Sequence, residues 1–167
     1  VIVQTLEQDV PAYAQMNIST GRKLKRLMAV IAQSVPFKPN MSKLAELLSI
    51  SRNVIADYLL YMEEAGMIGQ LRSATAGLRT QGKVDKVYLD NTNIIYNLVQ
   101  DQLNKGNLRE TFFYNQVKLN HEVHSATVGD FKVGDMVFEV GGKEKSTRQI
   151  KNIAQTSIPL WHFGFMY

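Results

Sequence analysis

Leu24, Leu27, Met28 and Ile31 recur at i, i+3, i+4 and i+7, and two further apolar-striped segments follow before Gly66, divided only by short breaks at Val35-Pro36 and Ser49-Ile50-Ser51. This spacing predicts three helices in close succession. The first runs from Gly21 to Ser34 and stops at Val35-Pro36, because the residue before a proline is pushed out of the α region. Asn40 can cap the second, Met41 to Leu48. Ser51 can cap the third, Arg52 to about Ala65, with Gly66 at the position after its end. The apolar face of the third helix is Val54, Ile55, Tyr58, Leu59 and Met62. Met67 to Arg72 and Lys86 to Leu89 then read as two strands around a long turn. Three helices and a hairpin in this order predict a winged helix-turn-helix over residues 21–90, with Ser49-Ile50-Ser51 as its turn.

The remaining residues, 91–167, read as an α/β domain. Asn91 to Gln102 is a predicted helix, Asn104 to Asn107 breaks it, and a second helix runs from about Asn107 to Leu119. Glu122-Val123, Phe131 to Val133 and Val137 to Val140 have strand patterns, with a hairpin turn at Gly134-Asp135. Ser146 to Ile153 reads as a polar helix and Ile158 to Phe165 as a buried strand. The fold class is therefore α/β and α+β.

The chain has 167 residues, 45% hydrophobic and 20% charged, an ordinary globular composition. The absence of cysteine excludes disulfides and thiolate zinc sites and is compatible with a cytoplasmic location. There is no apolar run long enough for a membrane span and no secretory signal pattern, so no membrane partner is expected. The first residue is Val1 and not methionine, which leads to the expectation of a piece of a longer chain. The net charge is +4, and its excess falls between Gly21 and Ala65, where seven basic residues face four acids. That segment is the expected anion-facing part.

On the predicted winged helix, Ser51, Arg52 and Asn53 begin the recognition helix. Arginine and asparagine there can pair with guanine and adenine edges. Lys38, Lys43, Arg72, Arg79 and Lys83 are candidate phosphate contacts, which makes DNA an expected partner. Asp57, Glu63 and Glu64 lie on the same helix and oppose this reading. The alternative is a non-catalytic protein-interaction or self-assembly module with a solvated charged face, and a homo-oligomer is a further expectation.

The second half carries Glu110 on a helix, Asp130 at a strand start, and Glu139 on the next strand, with Lys143 beyond it. This is the order of residue types in restriction-endonuclease-like (PD-(D/E)XK-like) metal nucleases. Hard oxygen ligands such as Asp130 and Glu139 can hold Mg2+, Glu110 can supply a third, and a lysine can activate water or neutralise developing charge. The candidate catalytic residues are thus Glu110, Asp130, Glu139 and Lys143, and the candidate metal ligands Asp130 and Glu139. In the usual spacing the lysine stands two residues after the glutamate, on the same strand face. Gly141 occupies that position, and Gly141-Gly142 favours a bend before Lys143. The alternative is that Glu110 and Glu139 are ion-paired structural groups. Gln149 is a further helix residue that can assist.

Five strings, Gln8-Asp9-Val10-Pro11, Gly21 to Leu27, Leu89-Asp90-Asn91, Gly106 to Phe113 and Phe138 to Lys143, together resemble the C-terminal region of a family of prokaryotic AAA-type ATPases. The resemblance covers nearly the whole chain. It implies an ATPase module N-terminal to this region, then a winged helix, then a restriction-endonuclease-like domain. Residues 1–20 would be the linker from that module, which is also an expected partner. No phosphate-cradling Gly-x-x-x-x-Gly-Lys-Ser/Thr occurs in this chain, so ATP and its Mg2+ are expected in that module. The resemblance also implies a longer segment between Ile153 and Ile158.

Overall fold

A computed structural model describes residues 1–74, 84–98, 104–141 and 160–163. The chain begins with a helical rod, α1, in which α-helical turns Ile2–Gln4 and Val10–Tyr13 flank a π-helical Thr5–Asp9. Its Leu6 and Val10 are buried in the first core. Residues expected as a linker are thus largely helix docked on the next element. The docking is close at Gly21, where a Cβ would lie 2.8 Å from Glu7 Cα and 2.9 Å from its carbonyl oxygen. Lys25 pairs with Glu7 at 3.1 Å across the same contact.

Helix α2, Ile18–Ser34, starts earlier than Gly21 because Asn17 caps it, its side chain accepting from Ser19 N. It ends before Pro36 with Val35 extended, as the sequence requires. Helix α3, Met41–Leu48, is capped by Asn40, which accepts from Lys43 N at 3.0 Å. Ser49 closes it in the left-handed region at φ 53, and Ile50 N donates to Ala45 O. Ser51 then caps α4, Arg52–Glu64, its hydroxyl accepting from Val54 N at 3.3 Å. Gly66 follows at φ +66.

Strands β1, Ile68–Ser73, and β2, Lys86–Leu89, form the expected antiparallel hairpin. After them come α5, Thr92–Leu98, and α6, Lys105–Val117. Asn104 to Asn107 was expected to break the preceding helix; the Asn104 side chain caps α6, accepting from Gly106 N and Asn107 N. Strand β3 is short, His124–Ser125, and lies just after the expected Glu122-Val123. Strands β4, Phe131–Val133, and β5, Met136–Val140, form a second hairpin turning at Gly134, φ +57. Strand β6, Leu160–Phe163, runs parallel to β5. The predicted helix from Ser146 to Ile153, Gln149, and the segment from Ile153 to Ile158 lie outside the described residues.

The six strands of the described residues join one mixed sheet in the order β2-β1-β3-β4-β5-β6. The join is the parallel pairing of β1 with β3, Arg72 opposite His124 and Ser73 opposite Ser125. The sheet therefore crosses the expected boundary at residue 90. Alternation along the first hairpin sends its side chains into two cores. Ile68, Val87 and Leu89 pack with the helices of the N-terminal half. Leu71 and Tyr88 face the other way, onto Phe113 and Tyr114 of α6 and onto Phe131 and Val140. Tyr88 and Tyr114 stack at 4.5 Å between ring centroids. Gly69 lies beneath Tyr114, and a Cβ there would come within 2.5 Å of the ring. Asn115 Nδ2 donates to Leu89 O at 2.9 Å and Lys118 pairs with Asp90, fixing the far end of α6 to the end of β2.

Candidate functional site

Lys86 and Tyr88 stand two residues apart on β2, so both leave the sheet on the side covered by α6. Glu110 of α6 meets them there. Lys86 Nζ lies 2.7 Å from Glu110 Oε1, and the Tyr88 hydroxyl donates to the same oxygen at 2.6 Å. Asp130, just before β4, approaches the same ammonium, with Oδ1 3.5 Å from Lys86 Nζ. Its other oxygen accepts from Val140 N at 2.9 Å, which ties it to the end of β5. The Glu110 and Asp130 side chains are 14% and 12% exposed, so both charges sit in poorly solvated ground and need these donors.

The structure thus brings together two of the expected acids, Glu110 and Asp130. Glu139 is buried on β5, between Phe138 and Val140. Phe138 packs against Phe113 at 5.2 Å, and Val140 joins the same cluster, so the intervening Glu139 leaves from the opposite face of the sheet. Among the described residues no three Asp, Glu or His side chains are grouped to hold a metal ion. Glu110 and Asp130 thus meet at Lys86, while Glu139 stands on the other face of the sheet. Lys143 lies outside the described residues. Lys86 is a cation of this cluster that sequence reasoning missed. The available signal was alternation in Lys86-Val87-Tyr88-Leu89, which puts Lys86 and Tyr88 on one face; that the face meets Glu110 depends on a contact 24 residues away.

Both phenols of this face are held protonated. Burial raises the Tyr88 hydroxyl far above its usual range, and the charge and hydrogen bond of Glu110 reinforce it. Burial also pushes Tyr114 up to about 12, with the Glu63 charge adding to the shift and Arg72 opposing it. A phenol raised in the folded state adds stability that is complete below the unfolded value near 10 and is lost as pH rises through the folded value. The melting temperature is therefore expected to fall steeply above about pH 10. A Tyr88→Phe, Tyr114→Phe double variant should show a shallower fall in melts between about pH 8 and pH 11. Equal slopes for the two proteins would contradict this account.

The candidate nucleic-acid residues divide into three groups. Arg52 and Asn53 are exposed in the first turn of α4, Ser51 caps it at the surface, and Lys43 and Lys38 are exposed on and before α3. Arg72 is committed elsewhere: its guanidinium pairs with Glu63 Oε2 at 3.0 Å and donates to Gln70 O at 3.2 Å. Gln70 adds to the same carboxylate through its backbone N at 2.8 Å and its amide at 2.9 Å. Arg72 is therefore a link between α4 and β1. Arg79 and Lys83 lie outside the described residues. No helix among the described residues is long and apolar enough to cross a membrane.

A family model described as "Domain of unknown function (DUF8612)" matches residues 1–105. No curated protein and no solved structure matches the chain.

Proposed function

We propose that this chain, which belongs to the DUF8612 family, is a nucleic-acid-associated region: a winged helix-turn-helix that binds duplex DNA, built onto a restriction-endonuclease-like sheet that supports it and does not cut. The observation that carries the reading is the α3–α4 pair. A left-handed Ser49 turns the chain, Ser51 caps α4, and Arg52 and Asn53 stand exposed at the entering end. Such a pair places the N-terminal residues of its second helix against base edges in the major groove. Glu63, one of the three acids that oppose the reading, is turned onto β1 and neutralised by Arg72. The order of α6, β4, β5 and β6, with Asp130 at the start of β4, supports the nuclease-like sheet. The pairing of Glu110 and Asp130 with Lys86 supports a scaffold role for it. The ATPase resemblance supports a place beside an ATP-hydrolysing module, which would hold ATP and Mg2+.

Fluorescence anisotropy on a duplex at about 50 and 200 mM salt tests the reading. Binding that weakens with salt is expected. Arg52→Ala should cost about 10-fold or more, in line with the loss of one bidentate base contact. Lys43→Ala should weaken binding evenly across sequences and reduce the salt slope by about 1. No binding at the lower salt would sink the proposal. A second reading has its own observation: Leu47 on α3 and Leu60 on α4 are 44% and 46% exposed. An apolar protein partner would use them, and Leu60→Asp would then abolish capture of the partner module while leaving any DNA binding intact.

A further inference from the structure

Helix α2 carries Arg22, Lys23, Lys25 and Arg26 within five residues and has no acid along its 17. Its apolar face, Leu24, Leu27, Met28 and Ile31, is buried in the first core. The residues left exposed include Ser19, Arg22, Lys25, Arg26, Ala29 and Gln33, with Lys23 half-buried at their margin. They recur in steps of three and four, so they share one stripe, about 21 Å long at the helical rise. Neighbouring α1 contributes two acids, Glu7 and Asp9, against these four cations. Lys25 pairs with Glu7 at 3.1 Å, and both side chains of that pair are well exposed, so it is weak. Among the described residues Arg22, Lys23 and Arg26 meet no carboxylate within ion-pair distance.

A stripe of this charge fits a polyanion, and its composition selects which kind. A protein interface is anchored by buried aromatic or apolar side chains, and a helix lying on a membrane buries an apolar face. None of the large exposed apolar residues among the described residues falls between Ile18 and Ser34. A phosphate backbone needs no such anchor. It accepts arginine forks, lysine charges, and neutral donors such as serine and glutamine. We infer that the exposed face of α2 is a second, sequence-independent contact for the phosphate backbone of duplex DNA, carried by Arg22, Lys25 and Arg26 and continued by Ser19 and Gln33. Arg22 and Arg26 stand one turn apart, about 6 Å along the axis, so each fork can hold a different phosphate. This surface goes beyond the contact proposed for α4. It uses other residues, reads no base and does not require α4 to enter a groove, so the two can fail separately.

Fluorescence anisotropy of the purified chain on a labelled duplex of scrambled sequence, between about 50 and 200 mM salt, tests it. The proteins are wild type, the double variants Arg22→Gln, Arg26→Gln and Arg22→Lys, Arg26→Lys, and Arg52→Ala. The side chains changed on α2 are exposed, so both double variants should keep the wild-type melting temperature. The glutamine pair should bind every duplex at least about 10-fold more weakly and lower the salt slope by about 2, because two phosphate contacts are lost. The lysine pair keeps both charges and should keep the slope. Loss of binding in the glutamine pair while Arg52→Ala binds every duplex as wild type does would support this surface and remove the contact by α4. The converse, a weakened Arg52→Ala beside an unchanged glutamine pair, would overturn the inference and leave α4 standing. A lysine pair as weak as the glutamine pair would overturn the role given to charge. Poly-glutamate that displaces the duplex as well as unlabelled duplex of equal charge would overturn the assignment to DNA in favour of an acidic protein.

Discussion

Phe131→Ala will lower stability by about 3–5 kcal/mol, the range for deleting a buried aromatic side chain. Phe131 is fully buried, and its ring lies 5.2 Å from Phe113, 5.6 Å from Tyr88 and 6.1 Å from Tyr114. It is the point where β2, β4 and α6 meet, and Phe138 on β5 is its partner in register. Removing the ring leaves three aromatic neighbours facing a void that none can fill without leaving its own contacts. The melting temperature should drop by roughly 10 °C, with loss of the near-ultraviolet dichroism of the stacked tyrosines. A cost under about 1 kcal/mol would mean that the α6 face is loosely packed and that the ring cluster is not a core.

The second large effect is expected where α1 docks on α2. Gly21→Val places a branched side chain where even a Cβ would meet the Glu7 backbone at 2.8 Å. The neighbouring atoms are main chain, so relief requires α1 to move away from α2. Overpacking of this kind costs about 1–3 kcal/mol. Alanine at the same site recovers up to about 1 kcal/mol of helix propensity relative to glycine, which offsets part of the clash, so Gly21→Ala should be milder. Valine recovers less and adds two methyl groups. Hydrogen exchange will show the difference directly: amides of Ile2 to Tyr13 should lose protection in Gly21→Val while those of β4 and β5 keep theirs. Unchanged protection in α1 would show that the close approach at Gly21 is not a constraint.

The helices around the turn were legible because their boundaries are local. Asn40 and Ser51 each bind an amide three residues ahead, and Gly66 follows its helix at positive φ, so each signal lies within a few residues of what it controls. The left-handed turn residue is Ser49 rather than glycine, and propensity alone does not single it out. The start of α2 was misplaced because Gly21 looked like a boundary, when its lack of a side chain serves a helix crossing. Docking of α1 was missed for the same reason: it needs a partner that sequence spacing does not name. The carboxylate pair followed the pattern of residue types, but its pairing with Lys86 did not. Lys86 reaches Glu110 and Asp130 only after the sheet has assembled, and Arg72 meets Glu63 only when β1 lies on α4. Local chemistry was readable; pairings made across the sheet were not.

The placement of β1 has a practical consequence for anyone dissecting this chain. A cut after residue 90, the natural choice from the helix-and-hairpin pattern, would keep Leu71 and Tyr88 but remove Phe113, Tyr114, Phe131 and Val140, which cover them. It would also strip β1 of its β3 neighbour, baring a strand edge beside an apolar face. Such a fragment is expected to associate with itself and to give misleading evidence of oligomerisation. Helices α3 and α4 and the aromatic layer behind the hairpin belong in one expression unit, and a scanning calorimeter should record one unfolding transition for that unit.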